Sequence, residues 1–82
     1  MERNEVVRII NQFLIDEIEI EENIIKEDAR LKEDLGIDSL DFVDVVVIIE
    51  REFGFKIKAE EMANVRTLSD FYNYIYEKVS EK

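Results

Sequence analysis

Apolar residues recur at helical spacing in two segments of the chain, residues 4–15 and residues 68–79. In each segment they fall three or four positions apart and therefore share one face of a helix. The first stripe comprises Val6, Ile9, Ile10, Phe13 and Leu14, and the second comprises Leu68, Phe71, Tyr72, Ile75 and Val79. We predict two amphipathic helices here, with Asn4 as the N-cap of the first. Thr67 and Asp70 have the spacing of a capping box at the start of the second.

The segment 39–53 is apolar and rich in β-branched residues, which by propensity alone favour a buried strand. Its apolar pattern is too long for an ordinary strand, acids are distributed along it, and Asp38 and Asp41 have capping-box spacing at its start. The sequence therefore predicts a helix over 39–53 with Gly54 as its C-cap. A short helix is predicted over 59–65.

These elements predict an all-α fold, a small four-helix bundle with one domain spanning residues 1–82. The first two long helices are joined by a loop of about twenty residues, which is long for a compact domain. Four apolar residues are spaced along it as anchors to the core: Ile25, Leu31, Leu35 and Ile37. We therefore expect this loop to be ordered.

Helical spacing assigns the helix 39–53 two different apolar faces. The wider face, which predicts the core side, comprises Phe42, Val45, Val46, Ile49 and Phe53. On the opposite side Leu40, Val43 and Val47 alternate with Asp44 and Glu50. An apolar strip among acids is typical of a docking surface, although single surface hydrophobic residues are also common. Both interpretations remain open at this point.

Composition removes several classes of function. The chain has 21 acidic and 11 basic residues, a net charge of −10, and neither Cys nor His. Hence no Ser-His-Asp or Cys-His catalytic group, no usual zinc site and no disulfide is possible. The negative charge disfavours binding to nucleic acid and favours binding to proteins with basic surfaces. The longest apolar run, Val45 to Ile49, is too short to span a bilayer, and the N-terminus lacks a signal-peptide layout. We expect a cytoplasmic protein without membrane insertion.

Ser39 would be the first residue of the valine-rich helix, where free backbone N–H groups and the helix dipole favour an anion. A serine at such a position usually acts as an N-cap. Its hydroxyl is also accessible to modification, and a phosphodiester there would lie in a favourable field. The adjacent Asp38 opposes an anion, so electrostatics leaves both roles open.

The stretch "LGIDSLDFVDVVVIIEREFGFKI" resembles the signature of the acyl carrier proteins, and "DARLKEDLG" and "VRTLSDFYNYI" extend the similarity over nearly the whole chain. The resemblance implies that Ser39, in the triplet Asp38-Ser39-Leu40, receives 4′-phosphopantetheine from a phosphopantetheinyl transferase. The chain is then a carrier of thioester-linked acyl groups and no enzyme. It also implies that Asp38 helps to hold a magnesium ion during the transferase step. No resident metal is expected.

The resemblance further assigns the outer side of the helix to partner enzymes. It implies apolar contacts from Leu40, Val43 and Val47, and contacts with Arg and Lys from Asp41, Asp44 and Glu50. The expected partners are acyl-transfer and chain-elongation enzymes with basic surfaces, and the expected role is that of a freestanding monomer in fatty acid biosynthesis. Arg51 stands where an acid is common, Phe42 where a small residue is common, and "KIKAEEMAN" lacks the usual proline. These departures make a polyketide, aminoacyl or special-lipid pathway the alternative.

Two further hypotheses assign the chain to other functional classes. An unmodified acidic helical interaction module would use the same face without a prosthetic group. A calcium-binding domain is suggested by Asp34, Asp38, Asp41 and Asp44. A calcium loop of the EF-hand type requires Gly at its sixth position and Glu at its twelfth, and no register supplies both.

A carried acyl chain costs about 0.8 kcal/mol per exposed methylene in water, so we also expect the bundle to open a cleft for it. The residues predicted to line it are Val45, Val46, Ile49, Val65, Phe71 and Ile75.

Overall fold

The protein is a helical bundle in a computed structural model that describes residues 2–62 and 64–80, apart from the side chains of Ser39 and Ala59. Its helices are α1 (Arg3–Asp16), α2 (Ser39–Phe53), α3 (Ala59–Met62) and α4 (Leu68–Ser80), with a 3-10 turn at Glu22–Ile24. No strand is formed by the residues described. The predicted all-α fold with three longer helices and one short one is confirmed.

Two helix boundaries differ from the prediction. Helix α1 has Glu2 as its N-cap, because the extended backbone of Glu2 places its carbonyl to accept from the N–H groups of Glu5 and Val6, both at 3.1 Å. The prediction of Asn4 as N-cap is therefore wrong. Helix α3 is described only as far as Met62. Within the predicted range 59–65, residue 63 lies outside the described residues and residues 64 and 65 are not helical.

Helices α1 and α4 pack against each other and supply the centre of the core. Their buried residues are Val6, Ile10, Phe13 and Leu14 on α1 and Leu68, Phe71, Tyr72 and Ile75 on α4. The two apolar stripes seen in the sequence are thus confirmed as core faces. The Tyr72 hydroxyl donates a hydrogen bond to Asn11 Oδ1 and so fixes the register between the two helices.

The valine-rich segment is helical from Ser39 to Phe53, as predicted. It ends at Gly54, whose φ of 80° is in the left-handed region and whose N–H donates to the Glu50 carbonyl at 3.0 Å. The buried residues of this helix are Val45, Ile48, Ile49 and Phe53. Ile48 is an addition to the predicted core face, while Phe42 and Val46 are only partly buried.

The long loop between α1 and α2 is ordered by contacts with distant parts of the chain. Leu35 and Ile37 are buried, and the other two predicted anchors are partly buried. The Leu31 N–H donates to the Arg66 carbonyl, and the Leu68 N–H donates to the Ala29 carbonyl, each at 2.9 Å. The loop is therefore bound to the start of α4, and it ends immediately before Ser39.

Candidate functional site

Ser39 occupies the first position of α2, and the N-cap of that helix is Asp38. Asp38 Oδ1 accepts hydrogen bonds from the N–H groups of Leu40 and Asp41, each at 3.0 Å. The cap predicted from the spacing of Asp38 and Asp41 is confirmed, and the interpretation of Ser39 as the cap is wrong. The Ser39 side chain lies outside what the structure describes. Because the cap comes from Asp38, the helix start does not depend on the serine hydroxyl.

Two buried residues hold the chain just before Ser39. Leu35 and Ile37 are each 6% exposed, and the Ile37 N–H donates to the Leu31 carbonyl at 2.9 Å. Between them Gly36 has a φ of 71°, which favours glycine, and a Cβ placed there would meet no atom within 4 Å. The backbone that leads into α2 is therefore anchored on both sides of Gly36, and the space next to Gly36 itself is open.

The outer face of α2 carries three prominent apolar side chains. Leu40 is 79% exposed, Val43 59% and Val47 57%. The structure therefore brings together the strip that helical spacing predicted opposite the core. Exposed apolar residues grouped on one helix are typical of an interaction surface.

Acidic residues flank this apolar strip. The basic residue near it, Arg51, forms an ion pair with Glu17. Asp44 and Glu50 are exposed, and Asp41 is partly buried. Arg51 Nη2 lies 2.6 Å from Glu17 Oε2, at the end of α1, and its charge is balanced there. Sequence reasoning missed Glu17, because the two residues are far apart in the chain and only the packing of α1 near α2 brings them together.

The cleft predicted to open for an acyl chain is closed in this structure. Val45, Ile49, Phe71 and Ile75 are at most 2% exposed and belong to the closed core. A groove of about 660 Å³ lies between loop residues 30–37 and residues 65–70. We call it the loop groove. Of the six residues predicted for the cleft, Val65 lines this groove.

The short helix α3 is fastened to α4 by one glutamate. Glu61 Oε1 accepts from the Tyr74 hydroxyl at 2.6 Å, and the Lys78 ammonium lies 3.2 Å from the same oxygen. Burial and the hydrogen bond to Glu61 raise the pKa of Tyr74 to about 12. The bonds from Tyr74 and Lys78 lower the pKa of Glu61. These contacts fix one side of the connection that borders the loop groove.

Two other kinds of site are not formed by the residues that the structure describes. In residues 2–62 and 64–80, no three acidic side chains come together as a metal-binding group. Over the same residues, no helix is long and apolar enough to cross a membrane.

Comparison with known proteins identifies the family. A family model described as a phosphopantetheine attachment site matches residues 8–75. The chain belongs to this family. It is 34% identical over 77 residues to an acyl carrier protein of Thermotoga maritima, an alignment that covers 94% of this chain and 95% of that protein. The crystal structure of an acyl carrier protein from Thermotoga maritima matches it with a TM-score of 0.81 at 28% identity, covering 99% of this chain and 94% of that one.

Membership of the family establishes the general role. The chain is an acyl carrier protein rather than an enzyme, and its prosthetic group is covalent 4′-phosphopantetheine. Its interactions therefore include a phosphopantetheinyl transferase and the enzymes that use the carried acyl groups. The resemblance seen in the sequence is confirmed.

Proposed function

We propose that Ser39 is the residue to which phosphopantetheine is attached. The observation that carries the proposal is its position as the first residue of α2, between the capping Asp38 and the 79% exposed Leu40. A modification at this position leaves the two cap hydrogen bonds in place, since both end on Asp38. The open space next to Gly36, three residues before Ser39, also supports this assignment.

In the proposed transfer, Ser39 Oγ forms a bond to the phosphorus that bears the pantetheine of coenzyme A. The pyrophosphate bond of coenzyme A breaks, 3′,5′-ADP leaves, and the serine proton passes to a base of the transferase. Asp38 is proposed to help hold a magnesium ion in that complex. The two described bonds to this carboxylate use Oδ1, which leaves Oδ2 for the metal.

The attached group would supply the thiol that this chain lacks, and acyl groups would be carried on it as thioesters. We propose that the pathway is fatty acid biosynthesis and that the carrier acts as a cytoplasmic monomer. The similarity to an acyl carrier protein over 94% of this chain supports the carrier role. The pairing of Arg51 with Glu17 and the bulky Phe42 at the recognition helix favour a specialised pathway as the second candidate. Elongation assays with purified fatty acid enzymes from the same organism distinguish the two.

We also propose the outer face of α2 as the surface that partner enzymes bind. Its apolar contacts are Leu40, Val43 and Val47, and its acidic contacts are Asp41, Asp44 and Glu50. Apolar side chains at the centre of a patch with charged neighbours provide affinity and orientation together. The charge of −10 on the whole chain adds steering toward basic enzymes.

Mass spectrometry after incubation with a transferase and coenzyme A tests the attachment residue. The wild-type chain should gain the mass of one phosphopantetheine, and Ser39→Ala should gain none while keeping its helical circular dichroism. Ser69→Ala is the matched control and should be modified like the wild type. Modification of Ser39→Ala would show that another residue is the attachment site.

Asp38→Asn separates the two roles proposed for Asp38. Asn is about as good an N-cap as Asp, so the thermal stability should stay close to that of the wild type. The rate of modification should fall, because the carboxylate that meets the magnesium ion is gone. An unchanged rate at limiting magnesium would exclude this role for Asp38.

Charge reversal tests the partner surface. Asp44→Lys and Glu50→Lys should slow transfer to and from basic enzymes, with the largest loss at low ionic strength, where steering is strongest. Glu77→Lys, at an exposed position of α4, changes the charge equally and is the control. Equal rates for all three variants would show that the outer face of α2 is not the recognition surface.

A further inference from the structure

The loop groove carries a local excess of positive charge in a strongly acidic protein. Three basic side chains line it, Arg30, Lys32 and Arg66, together with two acidic ones, Glu33 and Asp70. The chain as a whole has a net charge of −10 and only 11 basic residues. The charge of the groove is therefore opposite in sign to that of the outer face of α2, where acids flank the apolar strip.

The two acids of the groove are held by groups of this chain. Arg30 Nη1 lies 2.5 Å from Glu33 Oε2, so these two charges offset each other. Asp70 Oδ2 accepts two backbone hydrogen bonds just before α4, each 3.3 Å long. Among the ion pairs of the described residues, none includes the side chain of Lys32 or of Arg66, and both residues are exposed. These two cations are therefore available to an acidic group of another molecule.

The groove lies next to the start of α2. Ile37 lines it and precedes Ser39 by two residues, so the Cα atoms of these two residues are at most about 7 Å apart. Leu31 and Val65 also belong to the apolar wall of the groove. The Ile37 N–H donates to the Leu31 carbonyl at 2.9 Å, which holds the wall to the segment that leads into α2. A protein whose active site covers Ser39 is therefore close to both the groove and the acidic face of α2.

Among the enzymes that act on a carrier, the transferase is the one whose active site must cover the attachment residue itself. Its reaction forms a bond to the serine oxygen, whereas enzymes that use the carried acyl group act on the thioester at the far end of the prosthetic group. A contact immediately beside Ser39 is therefore best placed to serve the transferase.

We propose that the phosphopantetheinyl transferase of this carrier places an acidic side chain in the loop groove. Lys32 and Arg66 bind its carboxylate, while basic side chains of the same enzyme bind the acids of α2. Contacts of opposite sign at two places fix the orientation of the enzyme, since a reversed orientation would bring like charges together. This inference rests on the attachment at Ser39 and on the partner face proposed above, and it adds to that face a second contact of the opposite charge.

Charge reversal in the groove gives a test in which the signs of the effects differ. Lys32→Glu with Arg66→Glu makes the chain more acidic, and the control, Lys26→Glu with Lys56→Glu at exposed positions outside the groove, changes the charge equally. Steering by net charge alone would speed the modification of both variants by a basic enzyme. We expect the control to be modified at the wild-type rate or faster. The groove variant should lose about two- to tenfold in kcat/KM at moderate ionic strength, the size of one or two exposed ion pairs.

Two further measurements separate a contact with the transferase from a change in the carrier itself. Lys32→Arg with Arg66→Lys keeps both charges and should be modified at close to the wild-type rate. Thermal unfolding followed by circular dichroism should show the groove variant folded at the temperature of the assay. If it is not folded, Lys32→Gln with Arg66→Gln takes its place against Lys26→Gln with Lys56→Gln, and a smaller loss confined to the groove pair is expected.

A groove variant that is modified as fast as its control would overturn the inference, and so would equal losses in both. A charge-conserving variant as slow as the reversed one would overturn it as well, because the charges would then not be what the enzyme binds. If the wild-type chain gains no phosphopantetheine at Ser39, the attachment proposal itself fails and this inference fails with it. Normal modification of the wild type with equal rates for groove variant and control refutes the acidic contact alone.

Discussion

Helices α2 and α4 each have an aspartate at or near their start that accepts backbone hydrogen bonds, yet the first apolar side chain is exposed in α2 and buried in α4. In α4 the Asp70 N–H donates to Thr67 Oγ1 at 3.2 Å and Asp70 Oδ2 accepts from the Thr67 N–H at 3.3 Å. In α2 the cap is Asp38. The first apolar residue of the helix is fully buried in α4, at Leu68, and 79% exposed in α2, at Leu40. Both caps accept hydrogen bonds from the helix backbone, so the two starts differ in whether the first apolar side chain is buried.

The surroundings of the two starts agree with this distinction. Thr67 forms an isolated β-bridge with Arg30, and the Ser69 N–H donates to the Glu27 carbonyl at 2.9 Å. The start of α4 is thus covered by the long loop. The start of α2 follows Gly36, beside which there is open space, and its Leu40 is 79% exposed. The same loop covers one helix terminus and leaves the other exposed.

Truncation of Leu68 and of Leu40 to alanine should give the largest difference in stability between the two helix starts. Leu68→Ala leaves a cavity in the core and should lower the free energy of unfolding by about 2–5 kcal/mol. Leu40→Ala removes an exposed side chain and should change it by no more than about 0.5 kcal/mol. Urea denaturation followed by circular dichroism measures both. A loss of stability in Leu40→Ala close to that in Leu68→Ala would mean that the start of α2 is buried as well.

Removal of the two capping side chains should lower the stability by smaller amounts that are similar for the two helices. Asp38→Ala and Thr67→Ala should each cost about 0.5–2 kcal/mol, because each leaves backbone N–H groups at a helix start without an acceptor. The same denaturation experiment applies. Only Asp38→Ala should also slow modification by the transferase, and a comparable slowing in Thr67→Ala would contradict the division between the two starts.

Protonation of Asp70 in α4 at low pH should give the smallest change in stability. Hydrogen bonds from the backbone N–H groups of Arg66 and Thr67 lower the pKa of Asp70 below its ordinary value of 3.8. The unfolded chain then binds this proton more readily, so the contribution of Asp70 to stability is complete above about pH 3.8 and is lost as the pH falls through the lower folded value. Stability measured against pH should fall less steeply below pH 3.8 in Asp70→Asn than in the wild type. Identical acid limbs would show that the carboxylate contributes nothing.

Local sequence signals predicted the helices and the position of Ser39 well. The apolar stripes of α1 and α4, the Thr67 and Asp70 box and the Gly54 cap depend on residues close together in the chain. The Asn4 cap failed, because Asn4 and Glu2 both lie within reach of the helix start and only backbone geometry selects between them. Local rules supply candidates for a boundary, and packing decides among them.

Contacts between distant segments were beyond the reach of the sequence pattern. Periodicity showed that Leu31 and Ile37 are apolar but not that their backbone is bound to the residues before α4. Likewise, Arg51 was visible as a basic residue on an acidic helix, but its pairing with Glu17 was not. The predicted cleft is closed in this structure and stays a prediction, since helical angles identify a buried face without showing whether the packing opens there when an acyl chain is attached.

The bond between the Ser69 N–H and the Glu27 carbonyl has a consequence for the order of folding. It joins segments separated by α2 and α3, so it closes a large loop of chain, whose entropic cost must be met before the contact gives any stability. Contacts of this kind form slowly compared with the turns of a single helix. We therefore expect α2 to gain its helical hydrogen bonds early, while the loop that holds Ser39 in place becomes ordered only when α4 docks. A newly made chain would then be helical before it is a substrate for the transferase.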